Sequence, residues 1–313
     1  MILFITRKLA GSADILMKVF AERQIPVFRL NLDMFPHYQF MWRGDRFEIE
    51  DPVGHACSSQ DLRAMVFFKG QLIIDEHADF EDRYTELKDQ YTEVKWVKSW
   101  LNKLYLSFVC YGAERNLIRL WDPLEIHWPK TRQMVAAAEF FPVPEFTLHW
   151  GFSMSSKQVV VKTLTQRLLS NGDMAYSRIL DRAQLDPKYP WFTQEIADGD
   201  RDATVLYING HVHCYQFATV RGELSDWRVT QGPDANQWEP WDAGPEFEAK
   251  IDAYMKKLGL KYGRLDFIIG GKEPQFLEVN PCGQFGWLDD DKTLVLHNEV
   301  ADAILDPSTN ITI

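Results

Sequence analysis

Cysteine is scarce. Four are spread over 313 residues (Cys57, Cys110, Cys214, Cys282), and no two form a C-x-x-C pair. That excludes a zinc knuckle, a dithiol redox motif and a disulfide-stapled scaffold, and makes reduced thiols in a cytoplasmic setting the default. No apolar run approaches the ~20 residues a membrane helix needs. The opening Met1-Ile2-Leu3-Phe4-Ile5-Thr6-Arg7 reads as an apolar strand rather than a signal peptide, because its apolar core is short and no small-residue cleavage site follows. Positive charge is in deficit, with 34 Lys and Arg against 45 Asp and Glu and a net charge of −11. Neutralising a phosphate backbone needs clustered cations, so no nucleic-acid partner is expected. The first turn has no G-x-G-x-x-G, which removes a dinucleotide site. Repeats, low-complexity segments and a Ser-His-Asp or Cys-His arrangement are also missing.

What remains is an ordinary globular composition, 46% hydrophobic and 25% charged. The length suits two or three packed subdomains. Ile2 to Ile5 reads as a buried strand, a helix follows from about Ser12, and Pro26 to Leu32 reads as the next strand, so the chain opens β-α-β on a small parallel sheet. Phe40-Met41-Trp42, Arg46 to Ile49 and Met65 to Phe68 continue this unit, and about Phe80 to Val109 reads as helix. Asp122-Pro123 marks a break. Lys130 to Ala138 is helical, Phe141-Pro142-Val143-Pro144 ends it, and Phe146 to Leu148 and Val159 to Lys162 are short strands. The stretch from Leu164 to Lys188 is polar and mixed, with Asn171-Gly172 as a hairpin turn. Thr204 to Ile208 and Val212 to Phe217 flank Asn209-Gly210, a dipeptide suited to the tight turn of a twisted hairpin. Glu246 to Leu258 is a helix, and residues 288–306 close with an acidic turn and a last helix.

The most informative stretch lies between these last two elements. Tyr262 to Ile269 and Phe276 to Asn280 flank Gly270-Gly271-Lys272-Glu273 and read as a hairpin. Side chains alternate along a strand, so Glu278 and Asn280 share one face while Leu277 and Val279 take the other. Closing the hairpin brings Asp266 beside that polar pair. Two carboxylates and a carboxamide then converge from otherwise apolar strands. Buried charges are costly unless paired, and Mg²⁺ prefers such oxygen donors. The bare pattern equally suits a strand whose polar residues face water.

Glu278-Val279-Asn280-Pro281, preceded by a strand carrying Asp266, resembles the metal-binding end of the ATP-grasp ligases. More narrowly, the chain resembles the peptide-cyclising ATP-grasp ligases that make graspetides of the microviridin type. The match is carried by the opening strand and helix with Phe28-Arg29-Leu30-Asn31-Leu32, by Trp121-Asp122-Pro123 with the Lys130 helix and Val143-Pro144, by Asp226-Trp227-Arg228, and by residues 276–284. The resemblance implies an α/β (α+β) ATP-grasp fold. Its parts are an N-terminal parallel-sheet pre-ATP-grasp domain (1–118), a central subdomain (119–197) and a C-terminal antiparallel-sheet subdomain with the metal site (198–313).

The resemblance also implies roles. Asp266, Glu278 and Asn280 hold Mg²⁺ against ATP. Lys162 and Lys130 reach the nucleotide phosphates, although Pro129 stands where the family often has Asn. Gln194, Glu195, Ile196 and Ala197 form the hinge that grips adenine through its backbone, and Glu195 and Asp198 are candidates for the ribose hydroxyls. Arg228 stabilises the transferring phosphate or the tetrahedral intermediate. Arg201 stands out of the expected register of an Asp-x-Arg strand. The implied partner is a precursor peptide of leader plus core, with the leader docking near Thr163 to Lys188, and the implied assembly is a homodimer. Two other readings stay open: a ligase joining a carboxylate to a free amino acid or other amine, and a non-catalytic nucleotide-binding protein.

His211 and His213 alternate on one strand face, a spacing that permits a metal but also fits the surface of a hairpin. Trp238, Trp241 and Trp287, placed in loops, are candidates to line a peptide groove.

Overall fold

The computed structural model describes residues 1–69, 90–123, 129–162, 164, 177–218, 238–289 and 292–312. Asn171-Gly172, the triplet 226–228 and residues 80–89, where the sequence leads one to expect the start of a helix, fall outside them.

The chain opens with β1 (Ile2–Thr6), α1 (Gly11–Glu22) and β2 (Val27–Asn31). After a meander of β3 (Gln39–Arg43), β4 (Arg46–Glu50) and β5 (Ala56–Ser58), it returns as β6 (Ala64–Phe67). Strands β2-β1-β6 form a parallel sheet, and β3-β4-β5 form a separate antiparallel one. Every residue of β1 and β6 is buried, as expected where both faces of a parallel sheet are covered. One face packs on α2 (Gln90–Glu114) and the meander. The other packs on α1 and the C-terminal helix α5 (Val295–Leu305).

The middle of the chain holds α3 (Lys130–Ala137) and an antiparallel sheet in the order β7-β10-β8-β9. Its strands are β7 (Phe146–His149), β8 (Gln158–Lys162), β9 (Arg178–Asp181) and β10 (Trp191–Gln194). Strand β9 lies in the stretch that reads from sequence only as polar and mixed.

A five-stranded antiparallel sheet follows, ordered β13-β12-β11-β14-β15. It comprises β11 (Gly199–Ile208), β12 (His211–Ala218), β13 (Glu239–Pro240), β14 (Tyr262–Gly270) and β15 (Gln275–Asn280). Asn209 (φ 45°) and Gly210 (φ 103°) turn β11 into β12 in the left-handed conformations that Asn-Gly tolerates. Helix α4 (Pro245–Leu258) and α3 cover one face of this sheet, around Val205, Leu265, Phe267 and Val279.

The opposite face is divided. Leu206, Ile208 and Tyr262 join the core beneath α1 and α5. Trp121, fully buried, ties the parallel sheet to the five-stranded one, with its ring 6.5 Å from Phe4 and 5.0 Å from Tyr262. Beyond that covered end the same face carries Thr204, Arg264 and Asp266.

Candidate active site

The hairpin register sets Asp266 opposite Glu278 and Arg264 opposite Asn280, while Thr204 of β11 sits opposite Asp266 on the other side. The register slips between Asp266 and Phe267, where Phe276 becomes the next partner. Leu277 is therefore the extra residue of a β-bulge. Strict alternation would put Phe276 on the polar face and Leu277 with Val279. The bulge reverses this: Phe276 joins Val279 in the core, and Leu277 is only half-buried.

The polar groups are tightly knit. Thr204 Oγ1 donates to Asp266 Oδ1 (3.1 Å), and Arg264 Nη2 donates to Asp266 Oδ2 (3.2 Å). Asn280 Nδ2 donates to both carboxylates, to Glu278 Oε1 at 3.1 Å and Asp266 Oδ2 at 3.4 Å. Lys130 Nζ lies 2.5 Å from Glu278 Oε2. The four charged side chains are between 14% and 23% exposed, so their charges are only partly solvated. Burial pushes the Asp266 carboxyl up and the Glu278 charge adds to this, with Arg264 opposing; the net direction is upward. Burial also pushes Glu278 up, but Lys130 and Lys162 outweigh it and hold its carboxyl well below the usual range. Two like charges facing each other thus split, with the ammonium groups on one side of the pair.

Lys130 is placed by its own helix. One turn along α3, Gln133 is buried and its Oε1 accepts from the Val279 N–H at 3.2 Å. Strand β15 is an edge, and an unpaired edge donor is costly when buried. Satisfying it with Gln133 fixes α3 against β15, which puts the first residue of the helix over Glu278.

Arg264 was not among the residues singled out by sequence. It lies two positions before Asp266, so alternation alone puts it on the same face. Its guanidinium sits 5.1 Å over the Trp287 ring, Nη1 donates to the Gln284 carbonyl (3.3 Å), and its buried Nε has no hydrogen-bond partner among the described residues. Trp287 belongs to a short 3₁₀ helix rather than a loop and is partly buried against the core, as is Trp238; Trp241 packs its ring on Phe247. Arg228 lies outside the described residues. Arg201 pairs with Asp200 and bonds Gln216, and its register places it on the face opposite Asp266.

Lys162 ends β8 directly opposite Phe192 of β10, so it shares a sheet face with Gln194 two residues on. Gln194 is buried. The Glu195 N–H donates to the Glu145 carbonyl (2.8 Å), prolonging the β7–β10 pairing, and its carboxylate is ion-paired with Lys157, which holds it below its usual range. Ile196 is exposed and Ala197 buried. The Asp198 N–H donates to Gln275 Oε1 (3.1 Å). A Cβ on Gly271 would stand 2.6 Å from the Asp198 carbonyl oxygen, so only glycine lets the hairpin turn approach the 194–198 segment. His211 and His213 both face Glu299 of α5, at 3.2 and 2.7 Å. Among the described residues no three His, Cys, Asp or Glu side chains form a metal cluster; the third group beside Asp266 and Glu278 is the Asn280 carboxamide, whose nitrogen faces them and whose oxygen would face them after the amide is turned end for end. Two carboxylates and one amide oxygen suit a hard divalent cation.

A scan against protein-family models and a search of curated proteins each gave no match. Solved structures do match along the whole chain. A Chryseobacterium gregarium RiPP-associated ATP-grasp ligase, in complex with ADP and a leader and core peptide, superposes with a TM-score of 0.76 at 17% identity, covering 100% of this chain and 99% of that one. The macrocyclase MdnC of Microcystis aeruginosa, bound to precursor peptide MdnA, gives 0.74 at 18% identity over 97% and 99%. The ATP-grasp ligase PsnB, with precursor peptide PsnA2 and AMPPNP, gives 0.68 at 13% identity over 98% and 97%. The chain therefore has the ATP-grasp fold, as its sequence pattern implies. No helix among the described residues is long and apolar enough to cross a membrane.

Proposed function

We propose that this protein is an ATP-dependent, ADP-forming ligase that closes rings in a ribosomally made precursor peptide. The observation that carries the reading is the meeting of Asp266, Glu278, Asn280, Lys130 and Arg264 on one face of the C-terminal sheet. The full-length match to ATP-grasp enzymes solved with their peptides supports it.

In this reading an Asp or Glu side chain of the peptide attacks the γ-phosphorus of ATP, ADP leaves, and an acyl phosphate forms. A Ser or Thr hydroxyl, or a Lys amine, of the same peptide then attacks the acyl carbon. Phosphate departs with the bonding pair, the nucleophile's proton is lost to solvent, and an ester or amide remains. Asp266, Glu278 and Asn280 hold Mg²⁺, which when bound neutralises charge on the phosphates. Lys130 and Lys162 bind the phosphates, and residues 194–198 carry adenine and ribose. Arg264 offers a half-buried planar donor to the oxyanion of the tetrahedral acyl species, a role the family resemblance would give to Arg228. Catalysis is positioning and electrostatic stabilisation, so the enzyme needs no nucleophile of its own. The division at 118/119 and 197/198, a leader site around residues 163–188, a homodimer and a cytoplasmic setting belong to the same proposal.

The test is the intact mass of a small peptide encoded beside the gene, rich in Asp or Glu with Ser, Thr or Lys, after incubation with protein, ATP and Mg²⁺. Loss of one water per ring is expected with the wild type and none with Glu278→Gln. Arg264→Lys should slow ring closure about a hundredfold. An unchanged mass with ATP bound would sink the cyclase reading, and a gain of one amino-acid residue would replace it with an amine ligase.

A further inference from the structure

The carboxylates of the site already have cations. Lys130 Nζ sits on Glu278 Oε2 at 2.5 Å, Arg264 Nη2 on Asp266 Oδ2 at 3.2 Å, and the Asn280 amide nitrogen bridges the two acids. The ammonium and that amide nitrogen stand on the oxygens that a bound metal needs. A dication held by Glu278 and an ammonium on the same carboxylate repel each other at a half-buried site, where water screens them poorly.

We infer that Lys130 is a stand-in cation: it occupies Glu278 until nucleotide arrives, so the site takes its divalent metal and its nucleotide together rather than in sequence. This rests on the ligase reading above.

Metal alone would displace the ammonium from Glu278 and leave it half-buried with no new anion. Nucleotide alone would bring its phosphates toward Asp266 and Glu278 with too little positive charge between them. Together they exchange partners: the metal takes the carboxylates and the ammonium takes the phosphates. Each ligand therefore raises the affinity for the other, as linkage requires. The exchange needs only side-chain motion. Gln133 holds α3 on the Val279 N–H, so the backbone of Lys130 stays in place, and lysine is a point charge on a flexible stem. Asn280 takes part by rotating its amide. Its nitrogen now donates to both carboxylates, and turning the group end for end presents its oxygen inward as a ligand.

Mn²⁺ retained by the full chain in equilibrium dialysis, with any nucleotide analogue present on both sides of the membrane so that its own chelation cancels, tests this. Wild type and Lys130→Met are compared with and without a non-hydrolysable ATP analogue. Without nucleotide, Lys130→Met should bind Mn²⁺ about tenfold more tightly than wild type. With nucleotide the gain should vanish, because the wild-type lysine has left Glu278. Lys130→Gln, which keeps a polar side chain, should behave like the methionine variant. Equal gains with and without nucleotide would mean that Lys130 acts only as a diffuse positive charge, and would overturn the exchange. No gain without nucleotide would also overturn it. If no form bound Mn²⁺ even with nucleotide, the metal site and the ligase reading would fail first, and the exchange with them.

Discussion

Strands β1 and β14 are both interior strands, and they solve different problems. Ile2–Thr6 is buried at every residue, because α1 and α5 cover one face of its parallel sheet and α2 with the meander covers the other. Tyr262–Gly270 is covered fully on one face only. On its other face Tyr262 is buried, while Arg264 and Asp266 are left partly exposed. A strand sealed on both sides can hold only packing, since a charge there has neither solvent nor partner. A strand sealed on one side can carry a carboxylate such as Asp266 if cations stand by, here Arg264 on the same strand and Lys130 of α3 on the adjoining Glu278. The difference teaches where to seek chemistry in this fold: at the point along β14 where the apolar cover stops.

The sharpest way to break that comparison is to separate function from stability in β14. If the protein is the ligase proposed above, Asp266→Asn should lower ring closure by roughly three orders of magnitude, since several kcal/mol of charge stabilisation are at stake. Its thermal midpoint should hardly move. Asp266 is held against its own burial and against Glu278, so neutralising it removes costs along with contacts, and the unfolding free energy should stay within about 1 kcal/mol of wild type. A large loss of stability would show that Asp266 is a structural ion rather than a functional one. The converse belongs in β1. Phe4 is fully buried against Phe68 and Trp121, and Phe4→Ala should cost about 3–5 kcal/mol in denaturant unfolding. Nucleotide affinity per folded molecule should be unchanged. If the affinity fell in step with stability, the two sheets would be one functional unit.

The same contrast explains what was legible in the sequence. Apolar runs reveal β1 and β6, because a strand covered on both faces writes itself as continuous hydrophobicity, and the β-α-β order reveals α1 and β2. Alternation reveals Asp266, Glu278 and Asn280, because a half-covered sheet writes its two faces into odd and even positions. The bulge at Leu277 was not legible: it depends on which of Phe276 and Leu277 fills the space beside Phe267, Phe141 and Tyr254, a packing outcome with no local signal. Arg264 was legible and missed, since the alternation that placed Asp266 places it too. Lys130 could be assigned to the site only through resemblance, because its approach to Glu278 depends on a long-range bond between Gln133 and Val279. The partner of His211 and His213 was hidden for a similar reason. Glu299 lies on a helix 86 residues beyond His213.

A smaller effect sharpens the comparison at the seam between the two sheets. Helix α5 packs on both, through Val300, Ala301 and Ile304. Its entry is awkward: Leu294, just before the first turn, has φ 48° and no side chain caps the helix locally. Asp289 does that work from a distance, accepting from the Leu296 N–H (3.0 Å), the His297 N–H (2.9 Å) and His297 Nδ1 (2.5 Å). Burial pushes the Asp289 carboxyl up, but the hydrogen bonds from His297 and Leu296 prevail and hold it below its usual value. Folding therefore favours the charged form. The resulting stability is fully present above the unfolded carboxylate value near pH 4 and is lost as the pH falls through the lower, folded value. Asp289→Ala should cost on the order of 2 kcal/mol at neutral pH, given charged hydrogen bonds at a helix N-terminus. The gap to wild type should narrow steadily below about pH 4 in urea unfolding. A gap that stayed constant down to pH 2 would mean that Asp289 acts by packing alone. A gap that closed on schedule, with both sheets unfolding in one transition, would show that the sealed strand and the open one share their stability through α5 while dividing packing and chemistry between them.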